Sequence, residues 1–509
     1  MLASTHTGAV AGMEGQIIRV EVDSAPGFPG LFMVGLPDSA VRESESRIKA
    51  SLRNSAFEFS WDRRITVNLA PAHVRKSGSG FDLAIAIALL ASAGEPLPDP
   101  AGCLYLGELA LDGSLRAVSG VLPIMIAARA HGFRRAVVPR ANLREAALVH
   151  GIEVRGASSL LGALREQEDR MIDPCGLDAP GSRLDPLDLR DVTGQPLARR
   201  ALEIAAAGRH NLLLIGPPGS GKTMLARRLP GILPAPSDGE ALEMTAVQSA
   251  AGLSLRGLVS TRPFRAPHHT ASAVSLVGGG AVPRPGEISL AHGGVLFLDE
   301  LPEFPRATLE ALRQPMEEGR LMVSRARGTF EFPSRFQFVA AMNPCPCGYK
   351  GDSVLSCRCT PQAIAHYQAR ISGPLLDRID LVVDVPRPEI RIGASAHARG
   401  LCMGEASQEV RKRVEASIEF AGARAKGAEG RTDGAEPPGL LSLDLDAEAA
   451  TTLENAARVQ GLSLRGVHRT ARVARTIADL AHSPTVQRPA ILEALLFRAG
   501  SALTSLKVA

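Results

Sequence analysis

The stretch NLLLIGPPGSGKT, residues 211–223, constrains the fold more tightly than any other segment. An apolar run from Leu212 to Ile215 enters Gly216-Pro217-Pro218-Gly219-Ser220-Gly221-Lys222-Thr223, and MLARRL then follows with helical composition. Strand, glycine-rich loop and helix in that order is the context a phosphate-binding loop requires. Gly216, Gly219 and Gly221 let successive backbone N–H groups converge on phosphate oxygens with no Cβ in the way. The helix start adds its dipole to the same anion. The Lys222 ammonium is then placed for the β and γ phosphates, and the Thr223 hydroxyl for Mg²⁺. Residues 216–223 form the nucleotide-binding candidate, within an α/β fold.

Two more apolar strands fit around this loop. GVLFLDE (294–300) carries four apolar residues, Val295 to Leu298, and ends on two carboxylates. A central parallel strand reads this way, with acidic groups at its C-terminal end where ligands bind. Asp299 is the candidate to hold Mg²⁺, directly or through water, and Glu300 the candidate to polarise an attacking water. FQFVAAMN (336–343) is the third strand; Asn343 at its end is placed to contact the γ-phosphate or that water.

At 509 residues the chain has room for two to four domains. Residues 1–167 read as one α/β unit, with QIIRVEVD and ITVNLAP as strands and FDLAIAIALLASAG (81–94) as a buried helix. LYLGELALDG (104–113) reads as a hairpin edge turning on Asp112-Gly113. Residues 168–190 lose periodicity and read as a linker, 191–390 as the nucleotide-binding core, and 391–509 as a helical C-terminal region, with 421–440 a loop and 445–509 helical throughout. There is no apolar run of about 18 residues, which argues against a membrane span. The N-terminus lacks a basic and then apolar leader, and seven cysteines are too few for a disulfide scaffold, so the expected compartment is the cytoplasm. A net charge of +4 is compatible with a polyanionic partner but too mild to require one.

Together, GPPGSGKT, LFLDE and Asn343 resemble the Walker A, Walker B and sensor-1 elements of AAA+ P-loop ATPases, in the magnesium-chelatase-like branch. ISGPLLDRID (371–380) resembles the arginine-finger segment, with Arg378 at the matching position, and SLRGVHR (463–469) the sensor-2 helix, with Arg465 matching. RPFRAPHHTAS (262–272), PGEISLAHGGVLFLDELPEF (285–304) and MNPCPCG (342–348) are similar to the bacterial ComM/YifB subfamily. The resemblance implies catalytic roles for Lys222, Asp299, Glu300, Asn343, Arg378 and Arg465. It implies ATP and Mg²⁺ as cofactors, a hexameric ring, and a C-terminal helical lid. Its functional implication is an ATP-driven motor on single-stranded, duplex and branched DNA, promoting branch migration during natural transformation, with a recombinase as a possible partner. A metal-insertion or protein-remodelling ATPase is the alternative from another class.

The segment 76–132 resembles the Lon protease domain (the ribosomal S5 domain 2-like fold). Ser79 falls near the nucleophile position, but Leu122 stands where the lysine of a Ser–Lys dyad belongs, and leucine accepts no proton. A non-proteolytic module is expected, with Lys76 a base that would have to act from a different direction.

Cys345, Cys347, Cys357 and Cys359 form two C-x-C pairs that could complete a tetrahedral S₄ shell for structural zinc, although the usual knuckle spacing is wider. Four reduced, unliganded thiols are the other reading; Cys103, Cys175 and Cys402 are isolated. His268 and His269, adjacent on an extended segment, should point to opposite faces and serve as polar residues near the nucleotide. Candidate DNA loops are 275–292, glycine-rich at its centre, and the basic hairpin 319–332. There, Arg325 and Arg327 would neutralise phosphates without reading sequence. Arg465, Arg469, Arg472 and Arg475 share one broad helical face, from which one should reach the γ-phosphate.

Overall fold

The computed structural model describes residues 2–72, 76, 78–95, 102–164, 187–253, 257–280, 283–325, 328–387, 404–427 and 443–498, apart from the side chains of 39, 40, 325, 328, 426 and 427. The linker read at 168–190 lies mostly outside them, as do Arg327, Cys175, Cys402 and residues 499–509.

Two sheets organise the chain. The amino-terminal sheet has seven strands, ordered Gly30–Val34, Arg64–Ala70, Glu14–Ala25, Leu2–Ala11, Cys103–Tyr105, Arg135–Pro139 and Glu153–Ala157. Its centre is a long antiparallel pair, Leu2–Ala11 against Glu14–Ala25, turning at Gly12 with φ +67°. Helix Asp82–Ala93 packs beneath with nearly every residue buried, and stops at the left-handed Gly94. The hairpin read at 104–113 is shifted. Leu104 and Tyr105 lie in the interior of the large sheet, and the hairpin pairs Glu108–Leu109 with Leu115–Arg116. Its turn is held by the Asp112 carboxylate, which accepts from the Ser114 N–H at 2.9 Å.

The second sheet is all-parallel, ordered Phe264–Arg265, Val295–Leu298, Gln337–Met342, Leu212–Ile215 and Leu381–Asp384. Its three central strands are entirely buried, because helices cover both faces and no alternation is permitted. The phosphate-loop strand therefore has the Asn343 strand on one side and Leu381–Asp384 on the other, and the loop 216–223, Asp299, Glu300 and Asn343 all follow their strands at the same carboxyl edge.

Four helices follow: Ser407–Gly427, Ala447–Gln460, Leu464–Leu480 and Arg488–Leu496. The first runs through 421–427, where a loop was expected, and the tail is broken into three helices rather than one continuous helical stretch. The interior of this region joins the core cluster around Leu212 and Val383. Asp380 is the electrostatic joint. It accepts from the Asn211 N–H at 2.9 Å and lies 3.8 Å from His210 and 3.9 Å from Arg469 of helix Leu464–Leu480. Burial opposes its ionisation, yet His210, the Asn211 N–H and Arg469 hold it below the usual carboxylate range.

The amino-terminal unit docks on the core through helix Val121–Ala130 against helix Asp238–Ala250. Glu145 accepts from the Leu122 N–H at 3.0 Å and from the Ser249 hydroxyl, spanning the junction.

Candidate nucleotide site and cysteine cluster

Helix Lys222–Ile232 begins immediately after the left-handed Gly219 and Gly221 (φ +76° and +93°), which carry the loop round its tight turn. Gly216 has a different reason to be glycine: a Cβ there would sit 2.1 Å from the Val385 carbonyl. Residues Pro218 to Met224, Asp299, Glu300, Met342 and Asn343 line a cleft of about 430 Å³. It holds Ser220, Lys222, Thr223 and both carboxylates named from the sequence; Gly216 and Pro217 form the adjoining turn.

The polar groups are engaged with one another. The Lys222 ammonium donates to the Gly216 and Pro217 carbonyls at 2.7 and 2.8 Å, and to Asn343 Oδ1 at 3.2 Å. Burial pushes its pKa down, against the pull of Asp299 and Glu300. The Thr223 hydroxyl donates to Asp299 Oδ2 at 2.6 Å, so two expected Mg²⁺ contacts already lie side by side. Glu300 holds a left-handed φ of +53°, directs its half-exposed carboxylate into the cleft mouth, and meets His269 Nδ1 at 3.2 Å. The imidazole rings of His268 and His269 lie 4.1 Å apart instead of facing opposite ways, because the segment bends into a turn there. His268 Nδ1 bonds the Thr270 hydroxyl at 2.9 Å, leaving His269 as the partner of Glu300. From sequence it was only a polar residue near the nucleotide.

The remaining arginines stand elsewhere. Arg378 does not line this cleft. It is 6% exposed, pairs with Glu317, and donates to the Pro374 carbonyl at 2.6 Å. Arg465 is exposed at the start of helix Leu464–Leu480, outside the cleft lining, and its charge is felt by Glu317. Arg475 is buried against Asp479 and the carbonyls of Ser483 and Pro484. None of the four arginines of this helix, Arg465, Arg469, Arg472 and Arg475, lines the cleft of its own chain.

The basic hairpin forms as expected, with Arg320–Arg325 antiparallel to Gly328–Pro333. Leu321, Val323 and Phe332 anchor one face in the core. The Arg325 side chain and Arg327 lie outside the described residues. The segment 275–292 contains a second small hairpin, Gly278–Gly279 against Arg284–Pro285, between two short helices.

In the amino-terminal unit, the Ser79 hydroxyl donates to Glu108, while the Lys76 ammonium is buried and donates to the Pro71 carbonyl. Leu122 is fully buried apolar packing. Ser79 and Lys76 thus have separate partners, and no Ser–Lys dyad is formed among the described residues.

Folding brings the four cysteines together. Cys345 Sγ lies 3.4 Å from Cys347 and 3.6 Å from Cys357, and Cys347 is 3.6 Å from Cys357. All four sulfurs fall within 4.8 Å of one another. A tetrahedral S₄ shell with metal–sulfur bonds of about 2.3 Å requires sulfurs roughly 3.8 Å apart, so the set fits zinc. The Cys347 and Cys359 N–H groups each point at a neighbouring sulfur at 3.4 Å, a direction that favours thiolate. One-residue spacing within each pair is accommodated because the two pairs face each other across the loop. Purified protein is expected to carry one zinc per chain by elemental analysis; Cys345→Ser with Cys357→Ser should remove the metal and lower Tm.

With this geometry in hand, comparison with known proteins is informative. Sequence models of magnesium chelatase subunit ChlI match residues 20–142 and 188–392, and that of its C-terminal part matches 404–498. The chain is 44% identical to the protein YifB of Escherichia coli over 503 residues, covering 98% of this chain and 97% of that protein. It is 42% identical to the competence protein ComM of Haemophilus influenzae over 510 residues, covering 98% and 97%. The chain belongs to the ComM/YifB family of magnesium-chelatase-like proteins. A shorter match, 37% over 92 residues, relates 18% of the chain to 20% of the DNA repair protein RadA of Bacillus subtilis. A magnesium-chelatase-like AAA+ family implies an ATPase that uses ATP and Mg²⁺, and the ComM/YifB cleft described above has the groups to bind both. Among the described residues no helix is long and apolar enough to cross a membrane.

Proposed function

We propose that the protein is a ring-forming, DNA-stimulated ATPase that moves branched DNA during recombination of incoming strands. The observation that carries this reading is the full-length match to a competence protein, ComM, combined with an intact nucleotide cleft. The partial match to a DNA repair protein points the same way.

The cleft supplies the chemistry as follows. Loop 216–223 and Lys222 bind the phosphates, exchanging the Gly216 and Pro217 carbonyls for anionic oxygens. Thr223 and Asp299 are the residues that would hold Mg²⁺, which neutralises charge building on the transferred phosphoryl group. Glu300 orients and deprotonates the attacking water, and His269 fixes its carboxylate until the cleft is filled. Asn343 positions the water or the γ-phosphate. Arg378, absent from its own cleft, completes that of a neighbouring copy, and Arg465 lies on the same side. Identical head-to-tail contacts that close make a ring, and the family resemblance makes that ring a hexamer.

DNA is engaged by hairpin 319–332, whose Arg325 and Arg327 contact phosphates. Both strands types and junctions are then substrates, since backbone contact is blind to sequence. A recombinase partner and cytoplasmic location belong to the same reading. ATPase rate should rise on adding single-stranded, duplex or four-way DNA, and four-way junctions should be resolved into migrated products with ATP but not with a non-hydrolysable analogue. DNA binding that ignores salt, or no stimulation by any DNA, would favour a chelatase-like or remodelling role instead.

A further inference from the structure

The arginine that should serve a neighbour is already occupied in its own chain. Arg378 is nearly enclosed, with Glu317 on one guanidinium nitrogen and the Pro374 carbonyl on another. Glu317 is different: its side chain is 49% exposed, so its carboxylate can turn to solvent without losing hydration. An arginine held this way cannot reach a phosphate until the pair breaks, and a buried guanidinium without its anion is costly. The finger must therefore exchange one anion for another.

The position of Glu317 gives this exchange a mechanical consequence. It lies in helix Arg313–Glu318, which ends at Gly319 with φ +65° and leads directly into strand Arg320–Arg325 of the basic hairpin. A Cβ on Gly319 would meet Arg335 Cγ at 2.8 Å, and the Gly319 carbonyl accepts from the Ser334 N–H at 2.9 Å. Both ends of the hairpin are thus clamped at the helix terminus. Leu312 of the preceding turn packs in one cluster with Leu321, Val323 and Phe332 of the hairpin. Helix and hairpin base move as one packed unit, since close-packed interiors transmit displacement. Arg378, and after it Arg465 and Arg313, hold the Glu317 carboxylate below its usual range.

We propose that Glu317 is a positioning residue that latches Arg378 in the unengaged subunit and, on releasing it to a neighbour's nucleotide, transmits that engagement to the DNA hairpin. The latch rests on the reading of Arg378 as a finger acting across subunits, and it adds a residue through which DNA contact and hydrolysis are coupled. DNA on the hairpin shifts helix 313–318, loosens the pair and frees the finger; conversely, engagement of the finger repositions the hairpin.

The test uses the full chain with Glu317→Gln, Glu317→Asp and Arg378→Ala, measuring ATPase rate with and without four-way DNA, together with junction migration. For Glu317→Gln the DNA-free rate should rise about fivefold or more, as expected for loss of a typical coupling free energy. The ratio of DNA-stimulated to DNA-free rate should fall towards one, and migration per ATP hydrolysed should drop. Glu317→Asp, which keeps the charge, should retain DNA stimulation. An unchanged stimulation ratio in Glu317→Gln overturns the latch. So does a fall in its rate parallel to Arg378→Ala with Tm unchanged, because Glu317 would then support the finger rather than restrain it. Full activity of Arg378→Ala removes the underlying finger reading, an outcome distinguishable from failure of the latch alone.

Discussion

Glu300→Gln is expected to bind ATP and hold it, with hydrolysis reduced by roughly 10²–10⁴-fold, the range for loss of a positioned general base. The substitution keeps the size of the side chain and its place at the cleft mouth, 3.2 Å from His269 in the parent. It replaces the anionic carboxylate by a neutral amide, which cannot accept the proton of the attacking water. Lys222→Ala should fail one step earlier. Among the described residues its ammonium is the sole cation lining the cleft, and it also ties the Gly216 and Pro217 carbonyls to Asn343. Losing it removes phosphate neutralisation and loosens the loop together. A fluorescent ATP analogue separates the two variants: Glu300→Gln titrates with near-parental affinity, and Lys222→Ala does not bind. Phosphate release from Glu300→Gln within about tenfold of the parental rate would remove it from the base role, since a positioned base contributes more than that.

Much of this site could be read from the chain because its groups sit at fixed offsets on short buried strands. Val295–Leu298 has four apolar residues with no alternation, which only a covered parallel strand tolerates, so Asp299 and Glu300 had to emerge at its end. The same logic placed Asn343 after Gln337–Met342. The first strand, Leu2–Ala11, was not legible. Its residues are small and weakly alternating, and its identity comes from pairing with Glu14–Ala25 across Gly12. Register of that kind is a property of two segments. Helix 421–427 was hidden for a different reason. Its alanines and glycines read as loop, while the helix is sustained by packing further back, where Val410 and Val414 enter the core. The partners of the site arginines were the least accessible. Glu317 meets Arg378 only after folding, and neither its spacing nor its type distinguishes it from Glu318 beside it. Asp377 and Asp380 are the acids nearest Arg378 in sequence. The fold instead pairs Arg378 with Glu317 and uses Asp380 to join the core to helix Leu464–Leu480.

Arg378→Ala is expected to cost roughly 10³–10⁵ in ATPase rate, the range for an arginine finger supplied by a neighbour, while leaving nucleotide affinity intact. The argument is positional. Arg378 is absent from the lining of its own cleft, so a direct effect on hydrolysis must come through another copy. A purely structural role predicts a different pattern, in which loss of the Glu317 pair and the Pro374 bond lowers Tm and rate together. Mixing resolves the two. Glu300→Gln chains carry an intact finger and a dead base, whereas Arg378→Ala chains carry an intact base and no finger. Where an Arg378→Ala cleft faces a Glu300→Gln neighbour, every group is present. In a ring of heterologous contacts mixed at random in equal amounts, about a quarter of the interfaces meet that condition. The mixture should therefore regain activity that neither variant shows alone, and should lose it again on dilution below the assembly concentration. A mixture no more active than the mean of its two components would place Arg378 within the support of its own chain and leave the hydrolytic site complete in a single subunit.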